Sequence, residues 1–310
     1  MTGSITDVPG IRVGQVQRVG DGWRTGVTVI LPPPGTEAMA DVSGAVPATR
    51  EVTGLKPGGW VTQPHAVVFS GGSSFGLIAA HGVMRYLAER GIGHRVGTSA
   101  SDVVPIVPGA AIYDLGRGGQ FSATPTEAMG YEAAAAAAAT PLGGRVARGR
   151  VGAGTGATVD NERGPGGVGS ASLRVTLDGS VPVWLGALVV ANPYGVPLVG
   201  PGAEAASGRA GATGTAGTPP PFNTVLVALA TDARLEAGDL SRTARAAQDG
   251  IARAVDPVHT LADGDTVIAL ATGAVPPADG QPRWRRDSLI ALQAGAAHVA
   301  TAAIADALAG

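Results

Sequence analysis

Apolar residues fall into short runs set off by glycine and proline. Residues 26–31 (Gly-Val-Thr-Val-Ile-Leu) make a β-branched run closed by Pro32-Pro33-Pro34, which predicts an early strand. Residues 65–70 predict a second buried strand, followed by the turn Gly71-Gly72-Ser73-Ser74-Phe75-Gly76. A helix then runs to about Arg90, with Leu77, Val83, Met84 and Leu87 on its apolar side and Gly91 as its stop. Thr124-Pro125-Thr126-Glu127 has the form of a helix start: a Thr cap, Pro in the first position and an acid in the first turn. The alanine run 133–139 continues it, closing at Pro141, and its small side chains suit tight packing on a sheet.

Residues 150–192 contain three β-like segments. These are a glycine-rich one at 150–158, one of period two at 168–177 and a nearly all-apolar one at 181–191. Residues 200–218 carry Gly, Ala, Ser, Thr and Pro with almost no large apolar side chain, which predicts an exposed loop. From Thr224 the chain turns at once into Thr-Val-Leu-Val-Ala-Leu-Ala, a buried strand. A helix (237–255), a strand (265–272) and a long Ala-rich helix (287–308) follow. Strands apolar on both faces, alternating with helices, predict a layered α/β protein. No internal repeat or domain linker interrupts the 310 residues, so one domain is expected, with the loop lying inside it.

Composition narrows the chemistry. Hydrophobic residues make up 45% and charged residues 15%, as in a globular chain. A net charge of −2 without a basic cluster argues against nucleic acid as partner. The absence of cysteine excludes disulfides, thiolate metal sites and a cysteine nucleophile. His259 lies near Asp263 and Asp265, but no second ligand cluster accompanies them, so neither metal nor cofactor is expected. Uninterrupted apolar runs fall short of the ~20 residues of a membrane span. The first residues show no basic and apolar leader, so a cytoplasmic protein without a membrane partner is expected.

The candidate chemistry gathers at Asn223-Thr224, where the loop meets the strand. Thr224 Oγ attacking the Asn223 carbonyl would cut the chain and free Thr224 as an N-terminus carrying nucleophile and base on one residue. A loop leading into a strand that begins with Thr is the plainer alternative. Asp263-Gly264-Asp265 places two carboxylates on one side of an extended segment, or else forms a simple turn. Asn192, ending an apolar strand before Pro193, offers an amide donor to an oxyanion, or simply opens a turn. Gly72-Ser73-Ser74-Phe75-Gly76 matches a G-x-S-x-G nucleophile elbow, so an α/β-hydrolase acting through Ser74, with His259 or His298, is a rival. The same glycines also suit a phosphate cradle or close helix packing.

These residues, in this order, resemble the family of L-aminopeptidase/D-esterases and β-peptidyl aminopeptidases, which includes nylon-oligomer hydrolases. The matching stretches run from Ile5-Thr6-Asp7-Val8-Pro9-Gly10-Ile11-Arg12-Val13-Gly14 through the Ser70–Leu77 turn, Val104-Pro105-Ile106-Val107-Pro108-Gly109-Ala110 and Val151-Gly152-Ala153-Gly154-Thr155-Gly156-Ala157. They end with Phe222-Asn223-Thr224 and Asp263-Gly264-Asp265-Thr266. The resemblance implies a four-layer αββα sandwich of the N-terminal-nucleophile type. It also implies self-cleavage into 1–223 and 224–310, and a homo-oligomer, a tetramer of cleaved protomers. By it, Thr224 is the nucleophile, Asn223 the residue it is cut from, and Asn192 the oxyanion donor. Asp263 and Asp265 orient the nucleophile and Tyr113 is a site residue. The implied substrate is a small peptide or amide, and the Asn-Thr junction with two aspartates is closer to the nylon-oligomer branch.

One departure stands out. Several relatives of this kind carry a site lysine shortly after the Gly-Ala-Gly-Thr-Gly-Ala segment, but here Val159-Asp160-Asn161-Glu162-Arg163 fills that stretch and Lys56 is the single lysine. Asn161 would donate hydrogen bonds there without charge. That loss motivates a further alternative, an uncleaved, non-catalytic homologue that binds small molecules.

Overall fold

The computed structural model describes residues 3–200, 203, 222–278 and 281–309. Most of the loop expected at 200–218 lies outside them. In chain order the principal elements are strands β1 (Arg12–Gly20), β2 (Trp23–Leu31), β3 (Glu37–Val42), β4 (Ala48–Arg50) and β5 (Val67–Ser70), then helix α1 (Ala79–Ala88). Next come β6 (Gly109–Ala111), α2 (Glu127–Ala139), β7 (Gly167–Leu177), β8 (Val181–Asn192), β9 (Thr224–Ala233), α3 (Ala237–Ala252), β10 (Thr266–Val275) and α4 (Arg286–Ala307).

The strands form two five-stranded sheets, ordered β1-β2-β5-β6-β4 and β7-β8-β9-β10-β3. Period-two alternation sorts their side chains into separate apolar layers. Along β9, Val225, Val227 and Leu229 face α3 and α4, while Leu226, Ala228 and Ala230 join Ile30, Phe69, Leu188 and Ile268 between the sheets. On the other side, Val27, Val29 and Val68 pack with Val83, Leu87, Ala133 and Ala137 of α1 and α2. Helix, sheet, sheet, helix is thus the order of layers, the four-layer arrangement the resemblance implied.

The alanine run has a direct packing reason. A Cβ on Gly14 of β1 would sit 2.2 Å from Ala133 O and Ala137 N, so glycine on the strand and alanine on α2 let two backbones meet. Thr126, rather than Thr124, caps this helix, its hydroxyl accepting from Met129 N at 3.3 Å. The expected strand at 150–158 is not one. Gly152–Gly154 is a 3-10 turn, with Gly152 at φ 49° and only Thr158–Val159 extended. Four strands without a clear sequence signal, β1, β3, β4 and β6, complete the sheets. Helix α4 is long and apolar enough to cross a membrane by length and composition, but 56% of its apolar window is buried inside the protein, against β7, β8 and α3.

Candidate functional site

The inter-sheet side of the second sheet carries the chemistry. Asn192 and Thr224 are direct partners in the antiparallel β8–β9 ladder, and both share the parity of the inward-facing Leu188, Val190, Leu226 and Ala228. Asn223 pairs in parallel with Asp263, just before β10 begins. Sheet registry alone therefore brings the last residue of one strand, the first of another and the head of a third to one point.

Thr224 is 4% exposed, and its hydroxyl donates to the carbonyl oxygen of Asn223. The same oxygen accepts from Gly264 N at 2.9 Å, while Asn223 N donates to Ala262 O at 2.9 Å. A Cβ on Gly264 would lie 2.9 Å from both Thr224 Oγ1 and Val46 O, so this backbone approaches the hydroxyl because it carries no side chain. The peptide joining Asn223 to Thr224 is thus gripped on its carbonyl by a backbone donor with a hydroxyl beside it. Such an arrangement stabilises negative charge if that carbonyl becomes tetrahedral.

The two aspartates are buried, but their hydrogen bonds go to Val225 N–H, His259 and Thr260 and not to the Thr224 hydroxyl. Asp265 Oδ1 accepts from Val225 N at 2.7 Å, and Oδ2 pairs with His259 Nδ1 at 2.7 Å. Asp263 Oδ2 accepts from Thr260 N at 2.9 Å and from the Thr260 hydroxyl at 2.7 Å. Burial and the charge of Asp265 raise the Asp263 pKa, against the pull of the Thr260 hydrogen bonds. For His259, burial opposes the charged form, but the hydrogen bond and charge of Asp265 outweigh it and the pKa rises.

Asn192 is fully buried. Its Oδ1 accepts from Thr158 N at 3.0 Å and from Arg117 Nη1 at 2.6 Å, whereas its Nδ2 has no partner. Arg117 follows Tyr113 in the segment after β6, and no sequence signal marks it among so many arginines. In the same segment Asp114 is buried, with Oδ1 accepting from Gly72 N at 2.6 Å. Burial pushes its carboxyl up to about 6, opposed by Thr25, Gly72 and the charge of Arg117.

A pocket of about 200 Å³ opens beside Thr224, lined by Val46, Pro47, Ala48, Ser73, Ser74, Ala111, Tyr113 and Phe222. The rings of Tyr113 and Phe222 lie 6.0 Å apart across it. Tyr113 therefore lines the same pocket as Thr224. Ser74 lines the same pocket, yet no histidine does. Among the described residues, His259 pairs with Asp265 and His298 is exposed on α4. The elbow is present as a turn, with Ser73 at φ 52°, but lacks the base it needs. Asn161 does not enter the site. It is exposed in a turn where Asp160, Asn161 and Glu162 all have positive φ, and its N–H donates to Tyr194 O at 3.1 Å. Among the described residues, no group of three His, Cys, Asp or Glu is placed to hold a metal.

Comparison with known proteins places the chain in a family. An uncharacterized aminopeptidase of Mycobacterium tuberculosis is 45% identical over 307 residues, covering 90% of this chain and 85% of its own. A 6-aminohexanoate-oligomer endohydrolase of Kocuria sp. is 32% identical over 304 residues, covering 90% of this chain and 78% of its own. The structure of an L-aminopeptidase D-Ala-esterase/amidase from Ochrobactrum anthropi, described as a variant of the Ntn-hydrolase fold, superposes with a TM-score of 0.73. It is 25% identical, and the match covers 99% of this chain and 87% of that one. Residues 3–310 match Peptidase family S58, and the chain belongs to that family.

Proposed function

We propose that this protein is a self-processing amide hydrolase that cuts its own chain between Asn223 and Thr224, then uses Thr224 on small peptides or amides through an acyl-Thr224 ester. The observation that carries the reading is the Thr224 hydroxyl lying on the Asn223 carbonyl while Gly264 N–H holds the same oxygen. Thr224 Oγ adds to the Asn223 carbonyl carbon, its proton passes to the amide nitrogen, and the C–N bond breaks. Water then cleaves the ester, leaving the Asn223 carboxylate and a free Thr224 amine. In turnover that amine, with a pKa near ~8, takes the hydroxyl proton as Oγ adds to the substrate carbonyl, and later passes it to the leaving amine. Gly264 N–H and Asn192 Nδ2 are the donors for the charged oxygen. Asp265 fixes the residue after the nucleophile, Asp263 fixes the loop ahead of it, and Tyr113 shapes the acyl side of the pocket.

Aminopeptidase or 6-aminohexanoate-oligomer hydrolase activity, as the relatives' names describe, is the expected class. The cleaved protomers are expected to assemble as a homo-oligomer. A denaturing gel with mass analysis tests the cut: the parent gives two fragments, the smaller beginning at Thr224, and Thr224→Ala stays whole. A parent that remains full length after long incubation refutes self-processing.

A further inference from the structure

Arg117 has no place in the chemistry so far, yet it is a cation built into this site. Its side chain is 7% exposed; Nη1 and Nε are hydrogen-bonded, while buried Nη2 makes no hydrogen bond and stands 2.9 Å from Glu162 Oε1 as an ion pair. Nη1 donates to Asn192 Oδ1 at 2.6 Å and to Gly156 O at 2.8 Å, while Nε donates to Glu162 Oε1 at 2.9 Å. Glu162 belongs to the left-handed turn 160–162, so that turn steers the far edge of the guanidinium. Asn192 Oδ1 thus receives two donors, Arg117 and Thr158 N–H, which fixes which end of the amide is oxygen. The opposite end, Nδ2, is buried without a partner, on the strand position directly across from Thr224. Leaving an NH₂ unpaired inside a protein costs stability, so an oxygen that arrives only during reaction is a good reason to keep it.

We propose that Arg117 is a positioning residue for the oxyanion site. It locks the Asn192 amide with Nδ2 towards the reacting carbonyl and, by polarising Oδ1, makes that N–H a stronger donor. The proposal rests on Asn192 acting as an oxyanion donor, as in the proposed function. Self-cleavage reads it without any choice of substrate. First-order cutting rates are measured on purified uncut chain for the parent, Asn192→Ala, Arg117→Met, Arg117→Lys and the double variant Arg117→Met/Asn192→Ala.

Removing one oxyanion donor typically lowers a rate by about 10²–10³-fold, so Asn192→Ala is expected in that range. Arg117→Met is expected to slow cutting by at least ~10-fold, and Arg117→Lys, which keeps charge and one donor, to recover much of the loss. Because Arg117 acts through Asn192, Arg117→Met should add little once Asn192 is alanine. Equal factors for Arg117→Met in both backgrounds overturn the proposal, as does an Arg117→Lys no faster than Arg117→Met. If Asn192→Ala cuts like the parent, the oxyanion assignment itself fails, a result distinct from independence of the two residues. Should Arg117→Met not fold, the cycle is run with Arg117→Lys, and a loss that persists fully without Asn192 overturns the proposal.

Discussion

Asp114 offers a quantitative test of how the segment carrying Tyr113 and Arg117 is held. Its carboxyl is buried and pushed up to about 6, against an ordinary value of 3.8. Between those values the folded chain holds a proton that the unfolded chain has released. Stability therefore falls as pH rises through this window. The difference of about two pH units corresponds to roughly 3 kcal/mol in full, of which roughly 2 kcal/mol is lost between pH 4 and pH 6.5. Asp114→Asn removes the ionisation, and its Oδ1 can still accept from Gly72 N. The assay is urea unfolding from pH 4 to 8, in a Thr224→Ala background so that every sample is one chain. Taking variant minus parent cancels the other titrating groups. At pH 4 the two should differ little, and between pH 4 and pH 7 the variant should gain roughly 2 kcal/mol on the parent. A difference that stays flat, or declines with pH, would mean Arg117 and the local hydrogen bonds ionise Asp114 despite burial, and the reasoning fails.

Gly264→Ala should fold but cut at least ~100-fold more slowly, since the new methyl would crowd Thr224 Oγ1; a gel time course decides it. His259 has a raised pKa through Asp265, so the pair stabilises the fold fully below the ordinary histidine value and less as pH rises through the folded one. In uncut chain, His259→Ala should therefore be most destabilising below about pH 6.5, with a penalty that shrinks above it; a constant penalty in urea melts would show that protonation is irrelevant. Asp265→Asn keeps an acceptor for only one of Val225 N and His259. It should slow cutting by roughly tenfold or more, and parental rates would remove Asp265 from the positioning of Thr224.

Much of this was legible because it depends on local pattern. The period-two and apolar runs located β2, β5 and β7–β10, and the Ala-rich stretches located α2 and α4. What stayed hidden depends on pairing. Strand β1, with Gly14 and Gly20 and a polar outer half, reads poorly alone, and its role emerges only with β2 beside it and α2 on Gly14. The segment 150–158 misled for the opposite reason. Its alternating small residues resemble a strand, but the glycines serve left-handed turns and close contacts. The site divides the same way. Thr224, Asn192, Asp263 and Asp265 stand at the ends of strongly patterned elements and Tyr113 came from the family resemblance alone, whereas Arg117 is one arginine among many until Asn192 is found against it.

The order of the second sheet has a topological consequence for a cut at Asn223-Thr224. β9 and β10 come from the later part of the chain, yet β8 flanks β9 on one side and β3 flanks β10 on the other, both from the earlier part. A severed protomer is then an interleaved pair: the shorter piece is the filling of a sheet whose borders belong to the longer one. Neither piece can leave without unzipping two ladders, so the nick would be silent in the folded protein and visible only under denaturation. Unfolding would also turn a one-body problem into a two-body one, making recovery dependent on concentration and giving maturation the character of a one-way ratchet.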